Sequence, residues 1–255
     1  MSLSLFDLSG RRALITGSSK GIGFAYATGM AEAGCEIVLN GRNEEVLEHA
    51  RSRLSEDGHS ASAYSFDVTD HAASAAAVDR IENEIGPIDI LVNNAGMTIR
   101  HSLEDYPLED WRTVLSTNLD SVYNVSQATA RHMLKRGKGK IVNTCSVLSE
   151  ITRPGAAAYS TSKGAVKMLT KTMAVDWATR GITVNGIGPG FFVTDLNRDH
   201  AANPEFRSSI EARTPMKRWG ELDELVGAAI FLASDASSFV TGHIIYVDGG
   251  VTAAI

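Results

Sequence analysis

The chain has 255 residues, with 24 Lys and Arg against 30 Asp and Glu and a formal net charge of −6, a length that suits one large α/β domain or two small ones. The acidic balance gives polyanions no general attraction, so nucleic acid is not an expected partner, and a mixture of 44% hydrophobic and 21% charged residues argues against disorder. Apolar stretches such as Val226 to Ala233 fall short of the ~20 residues that span a bilayer, Met1 to Gly10 has no signal-peptide pattern, and the two distant cysteines, Cys35 and Cys145, spell neither a disulfide framework nor a thiolate zinc site. A cytoplasmic protein with no membrane partner is expected.

Short apolar, β-branched runs recur along the chain at Ala13 to Thr16, Glu36 to Asn40, Ala63 to Val68, Ile88 to Asn93, Lys140 to Cys145, Thr183 to Ile187 and Ile244 to Val247. Most are continuous rather than alternating, which fits parallel strands covered on both faces, and the spacers are long enough for crossover helices. Asn43 and the pair Thr69 and Asp70 read as helix starts, and Gly34 and Gly58 as helix ends. The expected fold is therefore a Rossmann-like, doubly wound parallel sheet of seven strands with helices on both faces. No linker divides it, so residues 1–255 read as a single catalytic domain. Phe191 to Gly220 breaks the alternation just after a strand's carboxyl end, and about 191–220 is the expected substrate lid, with Gly190 and Gly220 as its hinge.

Between the first strand and the first helix runs Thr16-Gly17-Ser18-Ser19-Lys20-Gly21-Ile22-Gly23. Glycines there allow a tight turn and let a phosphate approach the backbone N–H groups of a helix start. The same run also suits a connection without a ligand; its place directly after the first strand is what favours a dinucleotide. Further on, Tyr159 and Lys163 stand one turn apart on a helix-like segment and share a face. A phenol titrates near ~10, so proton transfer at neutral pH needs nearby positive charge, which Lys163 and an oxidised nicotinamide would supply. Ser146, at a strand end, could bond a substrate carbonyl, and Asn118 is a polar break in a helix.

With these motifs in place, the whole chain resembles the short-chain dehydrogenase/reductase family, through Thr16 to Gly23, Asp67-Val68, Asn93-Asn94-Ala95-Gly96, Asn118, Ser146, Tyr159-x-x-x-Lys163 and Pro189-Gly190. The resemblance implies reversible hydride transfer between an alcohol and a ketone. It implies Tyr159 as general acid and base, Lys163 on the nicotinamide ribose, Ser146 on the carbonyl and Asn118 at a proton-relay water. It also implies that Asp67 and Val68 hold the adenine, that Asn94, Ala95 and Gly96 back the cofactor, and that Pro189 and Gly190 lie beside the nicotinamide. Family members are usually homotetramers, and the helices around Asp110 to Leu134 and Ala156 to Arg180 could pair across subunits or serve as core faces.

Where enzymes preferring NAD place an acid after the second strand, this chain has Asn40, followed by Gly41 and Arg42. Arg42 and Lys20 suit a 2′-phosphate, so NADP(H) is the expected cofactor, with NAD(H) possible. Within the family, Leu39 to Arg42, Phe66 to Asp70, Ser146 to Pro154 and Arg213 to Gly220 resemble the gluconate 5-dehydrogenases. That implies a pocket for a polyhydroxy carboxylate, interconverting D-gluconate and 5-keto-D-gluconate. Arg100 is the candidate cation, with Glu150 and Arg153 for sugar hydroxyls and Ser146 and Tyr159 at the reacting carbon. Gly186 and Gly188, where relatives commonly have alanine, could loosen the strand end. A 3-oxoacyl-acyl-carrier-protein reductase, another polyol dehydrogenase and a non-catalytic dinucleotide sensor stay open as alternatives. Cys145 reads as a core residue and Trp111 and Trp177 as packing, and no histidine spacing points to a metal.

Overall fold

The computed structural model describes residues 3–194 and 201–254. Three rounds of strand and helix open the chain: β1 (Arg12–Ile15), α1 (Gly21–Glu32), β2 (Glu36–Gly41), α2 (Glu44–Glu56), β3 (Ala61–Ser65) and α3 (His71–Glu84). The second half runs β4 (Ile90–Asn93), α4 (Leu108–Leu115), α5 (Ser121–Arg136), β5 (Gly139–Thr144), α6 (Ala157–Trp177), β6 (Ile182–Pro189), α7 (Pro204–Arg213), α8 (Val226–Ala233) and β7 (Ile244–Val247). All seven strands pair in parallel in the order β3-β2-β1-β4-β5-β6-β7.

Alternation along the strands divides the core between two faces. Ala13, Ile15, Ile37, Leu39 and Val92 turn toward α1, α2 and α8, whereas Leu14, Val38, Leu91 and Ile141 turn toward α3, α5 and α6. Because both faces are covered, the strands carry apolar residues at consecutive positions, which is why they read as unbroken runs. The helices begin where local chemistry allows. Asn43 accepts from Val46 N and Asp70 from Ala73 N, each capping an orphan amide, and Gly34 and Gly58 follow α1 and α2 in the left-handed region.

The sheet order reverses between β1 and β4, and ligands of open α/β sheets bind outside the carboxyl ends of the strands at such a switch. Two departures from the sequence reading have a physical cause. β3 starts at Ala61 and leaves the sheet before Phe66, whose carbonyl accepts from the Asn40 side chain. Gly186 and Gly188 do not loosen β6. A Cβ on Gly186 would stand 2.6 Å from Ile244 Cδ1, and one on Gly188 would stand 2.4 Å from two ring carbons of Tyr246. Large β7 side chains fill the space that alanines would need.

Candidate active site

The turn after β1 is a cradle made of main chain. Gly17 and Gly21 have φ of 60° and 58°, conformations that other residues adopt at a cost. A Cβ on Gly17 would lie 2.8 Å from Ala95 Cα, and one on Gly23 would lie 2.4 Å from Gly17 O. Asn94 locks the turn from the β4 side, its Nδ2 donating to Thr16 O and Gly17 O, while Thr16 Oγ1 accepts from the amides of Asn94 and Ala95. Asn94 and Ala95 thus hold the cradle's shape. No side-chain cap bond forms at the start of α1, and a helix start lined by backbone at the switch point fits the diphosphate of a dinucleotide.

At the end of β2 the sequence reading of Asn40 needs correction. The side chain is 1% exposed; its Nδ2 donates to Tyr64 O and Phe66 O and its Oδ1 accepts from Gly17 N. Asn40 therefore points inward and splices β2 to β3, which leaves Arg42 as the exposed cation just after this strand. Arg42 is exposed, with no ion pair among the described residues. Asp67 lies near it, its carboxyl held below the usual range mainly by the Thr69 amide and also by the Thr69 hydroxyl and Arg42. Val68 is buried in the core behind Asp67.

Four side chains converge beyond the cradle. Tyr159 and Lys163 come from α6, Ser146 from the end of β5, and Asn118 from a π-helical turn, Ser116–Asp120, between α4 and α5. Lys163 is 4% exposed, donates to Thr144 O at 2.6 Å and stands 5.8 Å from the Tyr159 ring centroid. A Cβ on Gly96 would be 3.3 Å from Asn118 Oδ1 and 3.7 Å from Lys163 Nζ, so Gly96 marks where these groups meet. The Asn118 side chain is fully engaged: its Oδ1 accepts from Met97 N and its Nδ2 donates to Met97 O and Ser162 Oγ.

Burial pushes the Tyr159 phenol up and outweighs the Ser146 hydroxyl and the Arg153 cation, both of which favour the phenolate; Cys145 adds to the rise. Burial likewise brings the Lys163 ammonium down to about 8. Cys145 is buried and its thiol is held up at about 11 by desolvation, as a core residue rather than a nucleophile.

Three guanidinium groups gather around Arg153, which itself acts on Tyr159. Arg100 and Arg153 lie over the Phe206 ring at 6.0 and 5.4 Å. Arg153 feels Arg100, Tyr159 and Arg213 after the larger effect of burial, and burial also works against the charge of Arg100. None of the three makes an ion pair among the described residues, and Arg153 Nε is buried without a partner. Arg213, at the end of α7, was missed as a site residue because nothing in its spacing links it to Tyr159. Glu150, expected to meet a sugar hydroxyl, has its Oε1 engaged within the protein, where it accepts from Lys167 Nζ and from the Tyr246 hydroxyl.

Pro189 and Gly190 close the far side, with Gly190 N bonded to Val247 O. Residues 195–200 of the expected lid lie outside the described residues. The rest leaves and returns at one point, where Phe192 bridges Gly220 and Gly220 N donates to Phe191 O. Trp219 is 4% exposed, in a cluster with Phe191, Phe206, Ala201 and Ile210.

A family model described as enoyl-(acyl carrier protein) reductase matches residues 17–252. The chain is 53% identical to gluconate 5-dehydrogenase of Gluconobacter oxydans (strain 621H), covering 98% of each protein. It is 46% identical to 5-keto-D-gluconate 5-reductase of Escherichia coli (strain K12), over 98% of this chain and 99% of the other. A crystal structure of a gluconate 5-dehydrogenase from Burkholderia cenocepacia J2315 in complex with NADP and tartrate superposes with a TM-score of 0.98 at 52% identity, covering all of both chains.

Proposed function

The chain belongs to the short-chain dehydrogenase/reductase family and is an NAD(P)-dependent oxidoreductase; on that premise we propose that it interconverts D-gluconate and 5-keto-D-gluconate with NADP(H). The observation that carries the substrate is Arg153 near Tyr159, with Arg100 and Arg213 around it and no carboxylate partner for any of the three among the described residues. Burial works against the charges of Arg100 and Arg153, clustered guanidinium groups repel one another, and a carboxylate relieves them through paired, charge-assisted hydrogen bonds. A sugar acid bound by its carboxylate there would present a hydroxyl or keto carbon to Tyr159. The relatives that act on gluconate support the reading.

The glycine turn and the start of α1 would hold the diphosphate, Arg42 the 2′-phosphate, Asp67 and Val68 the adenine end, and Lys163 with Gly96, Pro189 and Gly190 the nicotinamide end. When bound, NADP(H) supplies the site that takes or gives the hydride. In oxidation the Tyr159 phenolate takes the proton of the substrate hydroxyl while Ser146 donates a hydrogen bond to the same oxygen; in reduction the phenol returns the proton. Lys163 holds positive charge near the phenol, which offsets the desolvation that raises it. Asn118 would serve the proton path through its main chain in the π turn, since its side chain is engaged.

We also read residues 1–255 as one catalytic domain with 191–220 as its lid, which the stitched ends at Phe192 and Gly220 and the position of Arg213 on this segment support. Closure would bring Arg213 over the substrate and exclude water. We also infer that the enzyme works in the cytoplasm as a homotetramer.

The test is the initial rate of D-gluconate oxidation with NADP and, in parallel, NAD. We expect NADP to be preferred, Tyr159→Phe to lower kcat by roughly 100-fold or more, and Arg213→Ala to raise KM for D-gluconate roughly tenfold or more with less effect on kcat. No rate with either cofactor would overturn the sugar-acid assignment and direct the search to other polyols and to acyl thioesters.

A further inference from the structure

Tyr246 stands on β7 directly opposite Gly188 on β6. Its ring occupies the volume a Gly188 side chain would fill, so its body is fixed against the strand end that leads to Pro189. The ring also packs against the cluster of Val147, Leu148 and Ala156, against which Tyr159 packs as well. Its hydroxyl then crosses to the other wall and donates to Glu150 Oε1 at 2.6 Å. Glu150 ends the short helical turn that Ser146 begins, with its amide bonded to Val147 O. The same carboxylate oxygen accepts from Lys167, which lies one turn beyond Lys163 on α6. Three elements meet on one oxygen: the turn that carries Ser146, the helix that carries Tyr159 and Lys163, and the strand pair beneath Gly188.

We propose that Tyr246 is a positioning residue that, through Glu150, sets the Ser146 hydroxyl in register with Tyr159 and with the carboxyl end of β6. It touches no reacting atom. Its hydrogen bond to an ionised acceptor is of the stronger, charge-assisted kind, and losing it frees the Ser146 turn from β7 while leaving the ring in place over Gly188. Angular error at the hydroxyl that holds the substrate oxygen falls on the chemical step more than on binding. The inference rests on Tyr159 and Ser146 acting as proposed above.

The experiment is a double-mutant cycle on Tyr246→Phe and Glu150→Ala, read by kcat and KM for oxidation of D-gluconate, or of whichever polyol the wild type oxidises. Tyr246→Phe should lower kcat roughly tenfold with little change in KM, and NADP affinity should stay near that of the wild type. The pair should lose no more than the worse single variant, because both break one link. Oxidation needs the phenolate, so its rate rises with pH; a Ser146 hydroxyl held less firmly favours the phenolate less and moves that rise to higher pH. Glu150→Gln keeps an oxygen that accepts from Tyr246 and should recover most of what Glu150→Ala loses, which decides the matter if Tyr246→Phe folds poorly. Losses that multiply in the pair, a Glu150→Gln variant no better than Glu150→Ala, or a wild-type kcat in a folded Tyr246→Phe would overturn the tie. An active Tyr159→Phe would instead bring down the reading on which it rests.

Discussion

Burial brings the Lys163 ammonium down to about 8 and pushes the neighbouring Tyr159 phenol up, so it disfavours the charged form of both groups before any cofactor charge arrives, although Lys163 still carries most of its charge at neutral pH. The consequence for stability follows from proton counting. In the unfolded chain Lys163 keeps its proton to its ordinary value of 10.5, so between about 8 and that value the unfolded state binds more protons and stability rises with pH. Cys35 and Cys145, held up at about 12 and about 11 by burial, work the other way once pH exceeds their unfolded value of 9.0. Comparison with Lys163→Met isolates the lysine. Urea titrations of the cofactor-free proteins should show the wild type gaining about 2 kcal/mol on the variant between pH 7.5 and 10, and a constant difference would show that Lys163 ionises as if exposed. At the cofactor's other end, Asn40 is turned inward, and the proposal leaves the 2′-phosphate to Arg42. Arg42→Ala should raise KM for NADP at least roughly tenfold while leaving that for NAD nearly unchanged; equal changes would reduce Arg42 to a surface charge. The sequence showed which residues stand after β2 but not which way they point, because the inward turn of Asn40 depends on carbonyls of β3 that lie far away in the chain.

Elements were legible where one kind of force dominates them. Strands covered on both faces read as apolar runs, and caps such as Asn43 and Asp70 use bonds made within one turn. What stayed hidden was pairwise fit between distant elements. Asn93 Nδ2 donates to Asn143 Oδ1 and to Ser126 Oγ, and Asn143 Nδ2 donates to Thr170 Oγ1, so buried amides fasten β4 to β5, α5 and α6 where the sequence suggests only polar interruptions. Gly188 shows the same limit. Glycine in a strand reads as looseness, yet here it admits the Tyr246 ring. Gly188→Ala should therefore destabilise the protein by about 1–3 kcal/mol through overpacking, even though alanine lowers the entropy of the unfolded chain. Adding Tyr246→Val to Gly188→Ala should recover part of that loss in thermal or urea unfolding, whereas a stable Gly188→Ala single variant would show that the strand end gives way freely.

At the scale of the molecule, the doubly wound parallel sheet followed from seven runs and their spacers, since right-handed crossovers leave few ways to wind one, whereas the strand order and the switch between β1 and β4 come from the structure. The assembly does not follow from that pattern, because helices rich in Ala, Val, Leu and Met serve a core face and a subunit face equally well. The structure separates the two faces residue by residue. On α6, Val166, Met173 and Ala174 are buried, while Met168 and Val175 are 60% and 78% exposed; on α5, Val125 and Met133 are buried and Tyr123 is 47% exposed. Met168 and Val175 lie two turns apart on one outward stripe, which a single chain leaves in water and a second copy could cover. Exposed apolar residues of this size recurring on adjacent helices favour association. Light scattering should thus give about four times the 27.3 kDa chain mass. Val175→Glu, which places a charge on the stripe and touches no active-site group, should shift that mass toward dimer or monomer while leaving the circular dichroism of the fold unchanged. A wild-type mass of one chain at micromolar concentration would remove the tetramer and return the stripe to ordinary solvated surface. An unchanged tetramer in Val175→Glu would move the interface to another face.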